Sequence, residues 1–66
     1  MIKNDRELEV MQERVRKFEN LLAAARAVES PANYNAMASS YLAEIRAMQA
    51  EIHAYLAATP MASQAA

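Results

Sequence analysis

The fold of this chain is decided by residues 34–55, which read YNAMASSYLAEIRAMQAEIHAY. Apolar side chains recur there in two interleaved rows with a period of seven, so successive steps alternate between four and three residues. One row is Tyr34, Tyr41, Met48 and Tyr55, and the other is Ala38, Ile45 and Ile52. Side chains at this spacing line one stripe of an α-helix, and the stripe needs a second helix to cover it.

The first half of the chain carries a stripe of the same kind, formed by Leu8, Met11, Val15, Phe18, Leu22 and Ala25. Its helix is predicted at residues 5–28. Asn4 with Glu7 three residues later reads as an N-cap with its capping-box partner, and Asp5 suits the positive end of the helix. Ile2 could fold back on Leu8, although it lies one residue too early for a regular hydrophobic staple.

Glu29-Ser30-Pro31 is the strongest signal for a helix boundary within the sequence. Ser30 as N-cap and Pro31 at the first helical position would start a second helix at residue 31, and Asn33 or Asn35 would allow a later start. We predict that this helix runs to residue 58, where Thr59-Pro60 stops it. Because the connection is short, the two helices should be antiparallel neighbours. Residues 1–58 are thus predicted to form a helical hairpin, followed by a flexible tail at 59–66.

The size of the chain makes an isolated hairpin marginal. With 66 residues and no cysteine, it has neither a large core nor disulfides, so a partner chain is the remaining source of stability. Further apolar residues, among them Leu21, Val28 and Met37, flank the two stripes. We therefore expect an all-α hairpin that self-associates into a homodimeric four-helix bundle or a tetramer. The predicted core and oligomer interface comprises Leu8, Met11, Val15, Phe18, Leu22, Tyr34, Tyr41, Leu42, Ile45, Met48, Ile52, Tyr55 and Leu56.

A second stripe of the second helix consists of small residues. It comprises Ala43, Ala47, Ala50, Ala54 and Ala57, and we call it the alanine stripe. Alanine favours helix on any exposed face, which is one interpretation. The other is a candidate second interface, because small side chains let two helices approach closely. The tyrosines also allow two interpretations, as packing residues with a hydroxyl at the bundle edge or as anchors for a partner protein.

Neither catalytic nor metal chemistry is indicated by the residue types. His53 has Gln49, Ala50, Leu56 and Ala57 one turn away, none of which is a metal ligand expected beside histidine. No nucleophile–base pair or cofactor motif can be assembled, so we predict a non-enzyme without cofactor or metal. Glu44 and Glu51 flank the core stripe, where they could pair with Arg14 or Arg26 or with a partner chain.

The charge and the ends of the sequence bear on partners and location. The net charge of −1 offers no general attraction to nucleic acid or to anionic membranes. No apolar run approaches the length of a membrane span, and the start of the chain is too polar for a signal peptide. We therefore predict a cytoplasmic protein that contacts neither a membrane nor, directly, nucleic acid.

Two stretches carry a family resemblance. They are residues 1–7 with 18–22, which read MIKNDRE and FENLL, and residues 41–56, which read YLAEIRAMQAEIHAYL. Together they resemble the N-terminal helical hairpin of small bacterial proteins in which it precedes a helix-turn-helix domain of the phage-repressor type, as in HigA-like antitoxins. The chain stops where that DNA-binding domain would begin. The resemblance thus implies an oligomerisation or partner-binding module, and no DNA-contacting residue is carried over.

Two functional classes follow from these observations. The first is a structural or interaction module whose role is to form the oligomer and to regulate a partner such as a toxin. The alternative is a DNA-associated accessory protein that acts through a partner containing the DNA-binding domain. Basic residues in the first part of the chain keep a direct DNA contact open to test: Lys3, Arg6, Arg14, Arg16, Lys17 and Arg26.

Overall fold

Two α-helices make up the fold in the computed structural model, which describes residues 1–58. Helix α1 spans Asp5–Val28 and helix α2 spans Pro31–Ala57, and they pack against each other. The sequence placed these helices at 5–28 and 31–58, so the observed second helix ends one residue earlier. No strand occurs in residues 1–58. The tail proposed at 59–66 lies outside the described residues.

The start of α1 is capped by local side chains. Asn4 is the N-cap, and its side-chain Oδ1 accepts a hydrogen bond of 2.9 Å from the backbone N–H of Glu7. The Glu7 carboxylate accepts from the N–H of Lys3 at 2.7 Å rather than from that of Asn4. In a regular capping box the Glu7 carboxylate would accept from the N–H of the N-cap residue, but here it accepts from the residue before it. This bond holds the segment that precedes the helix against the first turn.

The connection between the helices is short, as the Glu29-Ser30-Pro31 signal predicts. Glu29 ends α1 in an extended conformation, and its N–H donates to the carbonyl of Ala25 at 2.8 Å. Ser30 caps α2 and accepts from the N–H of Asn33 at 3.2 Å, with Pro31 at the first helical position. The later starts at Asn33 or Asn35 are thus wrong, because Ser30 already supplies the acceptor that a helix start requires.

Contacts between side chains show that the helices run antiparallel. Tyr55 near the end of α2 reaches Asp5 at the start of α1. Phe18 and Tyr41 meet halfway along the hairpin, with ring centroids 5.3 Å apart at an interplanar angle of 81°. Early residues of α1 therefore lie level with late residues of α2, as a short connection requires.

The core follows the two predicted stripes and adds one residue from outside the helices. Its buried cluster comprises Ile2, Val15, Leu22, Ala38, Ile45, Met48 and Ile52, and Ala25 is buried as well. Leu8, Met11, Phe18, Tyr34, Tyr41 and Tyr55 are partly buried against it. Leu8, Phe18 and Tyr41 are thus less buried than their central place in the stripes predicts, because one helix can cover another on one side only.

Candidate interaction surfaces

The open end of the hairpin is covered by the residues that precede α1. Ile2 is only 7% exposed and belongs to the core cluster. Two shallow grooves flank it, one bordered by Val10 and Met11 of α1 and the other by Ala54 and Tyr55 of α2. Ile2 therefore packs across both helices. The sequence offered Ile2 only as a contact for Leu8, and the signal was an apolar residue shortly before an N-cap.

An ion pair holds the same segment against α2. The amino group of Met1 lies 2.9 Å from Oε1 of Glu51. That oxygen is buried, and within residues 1–58 it accepts no hydrogen bond besides this ion pair. Glu51 was expected to pair with Arg14 or Arg26 or across an interface. It is instead paired with the amino group of the chain's own first residue.

The tyrosines make contacts within the hairpin. The hydroxyl of Tyr55 donates a hydrogen bond of 2.7 Å to Oδ1 of Asp5. This bond to the carboxylate raises the pKa of the Tyr55 hydroxyl above its ordinary 10.0, because it favours the protonated form. The guanidinium of Arg26 lies 5.8 Å from the ring centre of Tyr34, within the range of a cation–π contact. With the Tyr41–Phe18 contact, all three rings have partners at the edge of the core, which supports their interpretation as packing residues.

Several large apolar side chains remain uncovered in the hairpin. On α2, Leu42 is 48% and Leu56 is 60% exposed. On α1, Val10, Leu21 and Val28 are exposed as well. Leu42 and Leu56 had been predicted to belong to the core or oligomer interface. The hairpin itself does not bury them, so only an assembly can give them that role.

The two helices differ sharply in the charge that they present. Ten of the 24 residues of α1 are charged, whereas among the 27 residues of α2 only Glu44, Arg46 and Glu51 are. A solvent-facing helix normally carries many charged residues opposite its apolar stripe, and a helix that lacks them is usually covered. The exposed part of α2 is therefore the strongest candidate for an interaction surface on this molecule.

The alanine stripe lies within this charge-poor part of α2. All five of its residues are exposed in the hairpin. Exposure alone fits a solvent face of good helix formers as well as an interface, so both interpretations of the stripe stand. The stripe as a second interface therefore stays a prediction.

Substitution of Ala50 by Glu tests this prediction. A carboxylate in the middle of the alanine stripe should block close approach of another helix while leaving the hairpin helical, because glutamate is a good helix former. We expect assembly beyond the dimer, or capture of a partner, to decrease in light scattering or pull-down experiments. Ala50→Gln is the matched control for side-chain size without charge. Unchanged oligomer size and partner binding in Ala50→Glu would assign the stripe to solvent.

Titratable groups in the described residues form no cluster of metal-binding character. Residues 1–58 contain no group of three or more histidine, aspartate or glutamate side chains that could hold a metal ion. His53 is exposed on α2. Neither helix of this part of the chain is long and apolar enough to cross a membrane.

Comparison of the chain with protein-family models, with curated proteins and with solved structures finds no match. Within residues 1–58 the chain is a two-helix hairpin, and the outer side of its charge-poor helix α2 is uncovered.

Proposed function

We propose that this chain is a non-enzymatic oligomerisation and protein-interaction module, whose hairpin pairs with a second copy to form a four-helix bundle. The observation that carries the proposal is the outer side of α2, which has few charges and exposes Leu42 and Leu56. Apolar area of this kind gains free energy when a second apolar surface removes it from water, at roughly 25 cal/mol per Å². A second copy of the chain presents a surface of the same composition.

The thinness of the hairpin also supports association. Its two shorter principal extents are 15 and 13 Å, so it is a single layer of two helices. Even Ala38, the most buried residue of the core, keeps 3% of its surface exposed, and no side chain of residues 1–58 is excluded from solvent completely. Stable domains bury their apolar faces between at least two layers. Two such hairpins would supply the second layer.

The proposed biological role follows the family resemblance. An antitoxin-like hairpin of this kind would act in the cytoplasm by pairing with itself and with a partner protein such as a toxin. The second candidate, a DNA-associated accessory protein, would hold a partner that carries the DNA-binding domain. Co-purification of a toxin or of a helix-turn-helix protein would decide between them. Direct DNA binding by the purified chain that weakens with added salt would contradict the preference for protein partners.

Sedimentation equilibrium is the test of self-association. We expect the purified chain, over a micromolar to submillimolar range, to approach twice its monomer mass of 7.3 kDa. Circular dichroism on the same samples should show helix content rising with concentration, since a dimer stabilises its folded subunits by mass action. A fully helical chain that stays monomeric over the whole range would contradict the proposal.

A further inference from the structure

One exposed row of α2 has leucines at equal distances on either side of its middle residue. It consists of Leu42, Arg46, Gln49, His53 and Leu56, whose steps of four and three residues place them on one stripe of the helix. Apolar residues lie at both ends of this row and Gln49 lies at its centre, seven residues from each leucine. All five side chains are exposed in the hairpin. We call this stripe the Leu42–Leu56 row.

We propose that a second copy of this chain docks antiparallel along the Leu42–Leu56 row, with the two-fold axis at Gln49. This inference rests on the proposed function and specifies the face and register of the dimer. Leu42 of each copy then packs on Leu56 of the other, and the two Gln49 amides meet at the axis. A two-fold interface requires one patch that is complementary to itself, which the order of this row provides.

The charges of the row favour the antiparallel over the parallel arrangement. Arg46 is the one residue of the row with a permanent charge. In a parallel pair, the Arg46 guanidinium groups of the two copies would stand directly opposite each other. In the antiparallel pair each Arg46 lies level with Ile52 of the second copy, so the two guanidinium groups are about 9 Å apart along the helices at 1.5 Å per residue, and the helix dipoles of the two α2 helices oppose one another.

The opposite side of the hairpin is less suited to this docking. At the open end Met1 and Ile2 already lie there, between Val10 of α1 and Ala54 of α2. Ile2 is buried in the core and the Met1 amino group is paired with Glu51. A second helix on that side would have to displace this segment. The Leu42–Leu56 row lies on the side that the segment leaves uncovered.

Cysteine cross-linking tests the register directly, because the chain has no cysteine of its own. Gln49→Cys places two thiols at the proposed axis, so oxidation should link most of the protein into a covalent dimer. Leu42→Cys alone should not, because its two thiols would be about 21 Å apart along the helices at 1.5 Å per residue. A mixture of Leu42→Cys with Leu56→Cys should yield the mixed dimer. Ala24→Cys, exposed on α1, is the control for random collision.

Charge substitution gives an independent measurement. Leu42→Glu should raise the dimer dissociation constant at least tenfold in sedimentation equilibrium, because a carboxylate would enter the apolar contact. Leu21→Glu introduces the same charge at an exposed leucine of α1 and should leave the constant within about twofold. Helix content of both variants at high concentration reports whether the hairpin still folds.

The outcomes separate this inference from the proposed function. A wild-type dimer, together with no covalent dimer from Gln49→Cys and an unchanged dissociation constant for Leu42→Glu, would refute the Leu42–Leu56 row and leave self-association standing. Efficient self-linking of Leu42→Cys would refute the antiparallel register in favour of a parallel one. A wild-type monomer at all concentrations would overturn both.

Discussion

Replacement of Ile45 by Ala is expected to lower the free energy of unfolding by about 2–5 kcal/mol. Ile45 is buried in the middle of α2, within the cluster that also contains Val15 and Leu22 of α1. Truncation removes apolar area that was sheltered from water and leaves a cavity that two helices can close only in part. For a chain of 66 residues with a total stability of roughly 3–10 kcal/mol, such a loss removes a large share of that stability.

Urea melts followed by circular dichroism measure this effect, and they must be made at one fixed protein concentration because association contributes to stability. Val28→Ala is the matched control, since it also truncates a β-branched residue but at a position that is 78% exposed. We expect that control to change stability by no more than about 0.5 kcal/mol. An Ile45→Ala melt that coincides with the Val28→Ala melt would contradict the place of Ile45 in the core.

Replacement of Phe18 by Ala should have the second largest effect, toward the lower end of about 2–5 kcal/mol because this ring is only half-buried. Its edge-to-face contact with Tyr41 joins the two helices halfway along the hairpin. The substitution removes both the buried area of the ring and the geometry-dependent attraction between the two rings. Thermal melts of wild type and variant at equal concentration give the difference.

Phe18→Leu separates these two contributions. Leucine retains most of the apolar volume but cannot make the ring–ring contact, which is worth about 0.5–1.5 kcal/mol. We therefore expect Phe18→Leu to lie between wild type and Phe18→Ala. If Phe18→Ala were silent together with Ile45→Ala, the seven-residue assignment of both stripes would be out of register.

The elements of this fold were predictable because they depend on neighbours in the sequence. The steps of four and three residues that include Val15, Leu22, Ile45 and Ile52 define one face of each helix, whatever else the chain does. Caps are equally local, since Asn4 and Ser30 each bond to an N–H three residues ahead. Because the connection at Glu29 is short, the two helices are antiparallel neighbours and pack through their apolar stripes.

The candidate surface was predictable only in part. The pattern marked Leu42 and Leu56 as apolar residues outside the central stripe, yet it grouped them with the core. Whether a residue beside a stripe is covered depends on how far the partner helix reaches around it, which is a property of packing. The hairpin has one partner helix on one side, so these leucines stay exposed while Ile45 and Ile52 do not.

Local sequence is enough to specify the two helices, their caps and the stripes through which they meet, since each of these depends on residues within one or two turns. The closure of the open end depends instead on tertiary packing. There Ile2 packs across both helices, the Met1 amino group pairs with Glu51, and Tyr55 bonds to Asp5. These partners are about fifty residues apart in the chain, and no local preference encodes their meeting. They come together because the antiparallel packing brings the first residues of the chain beside the last two turns of α2.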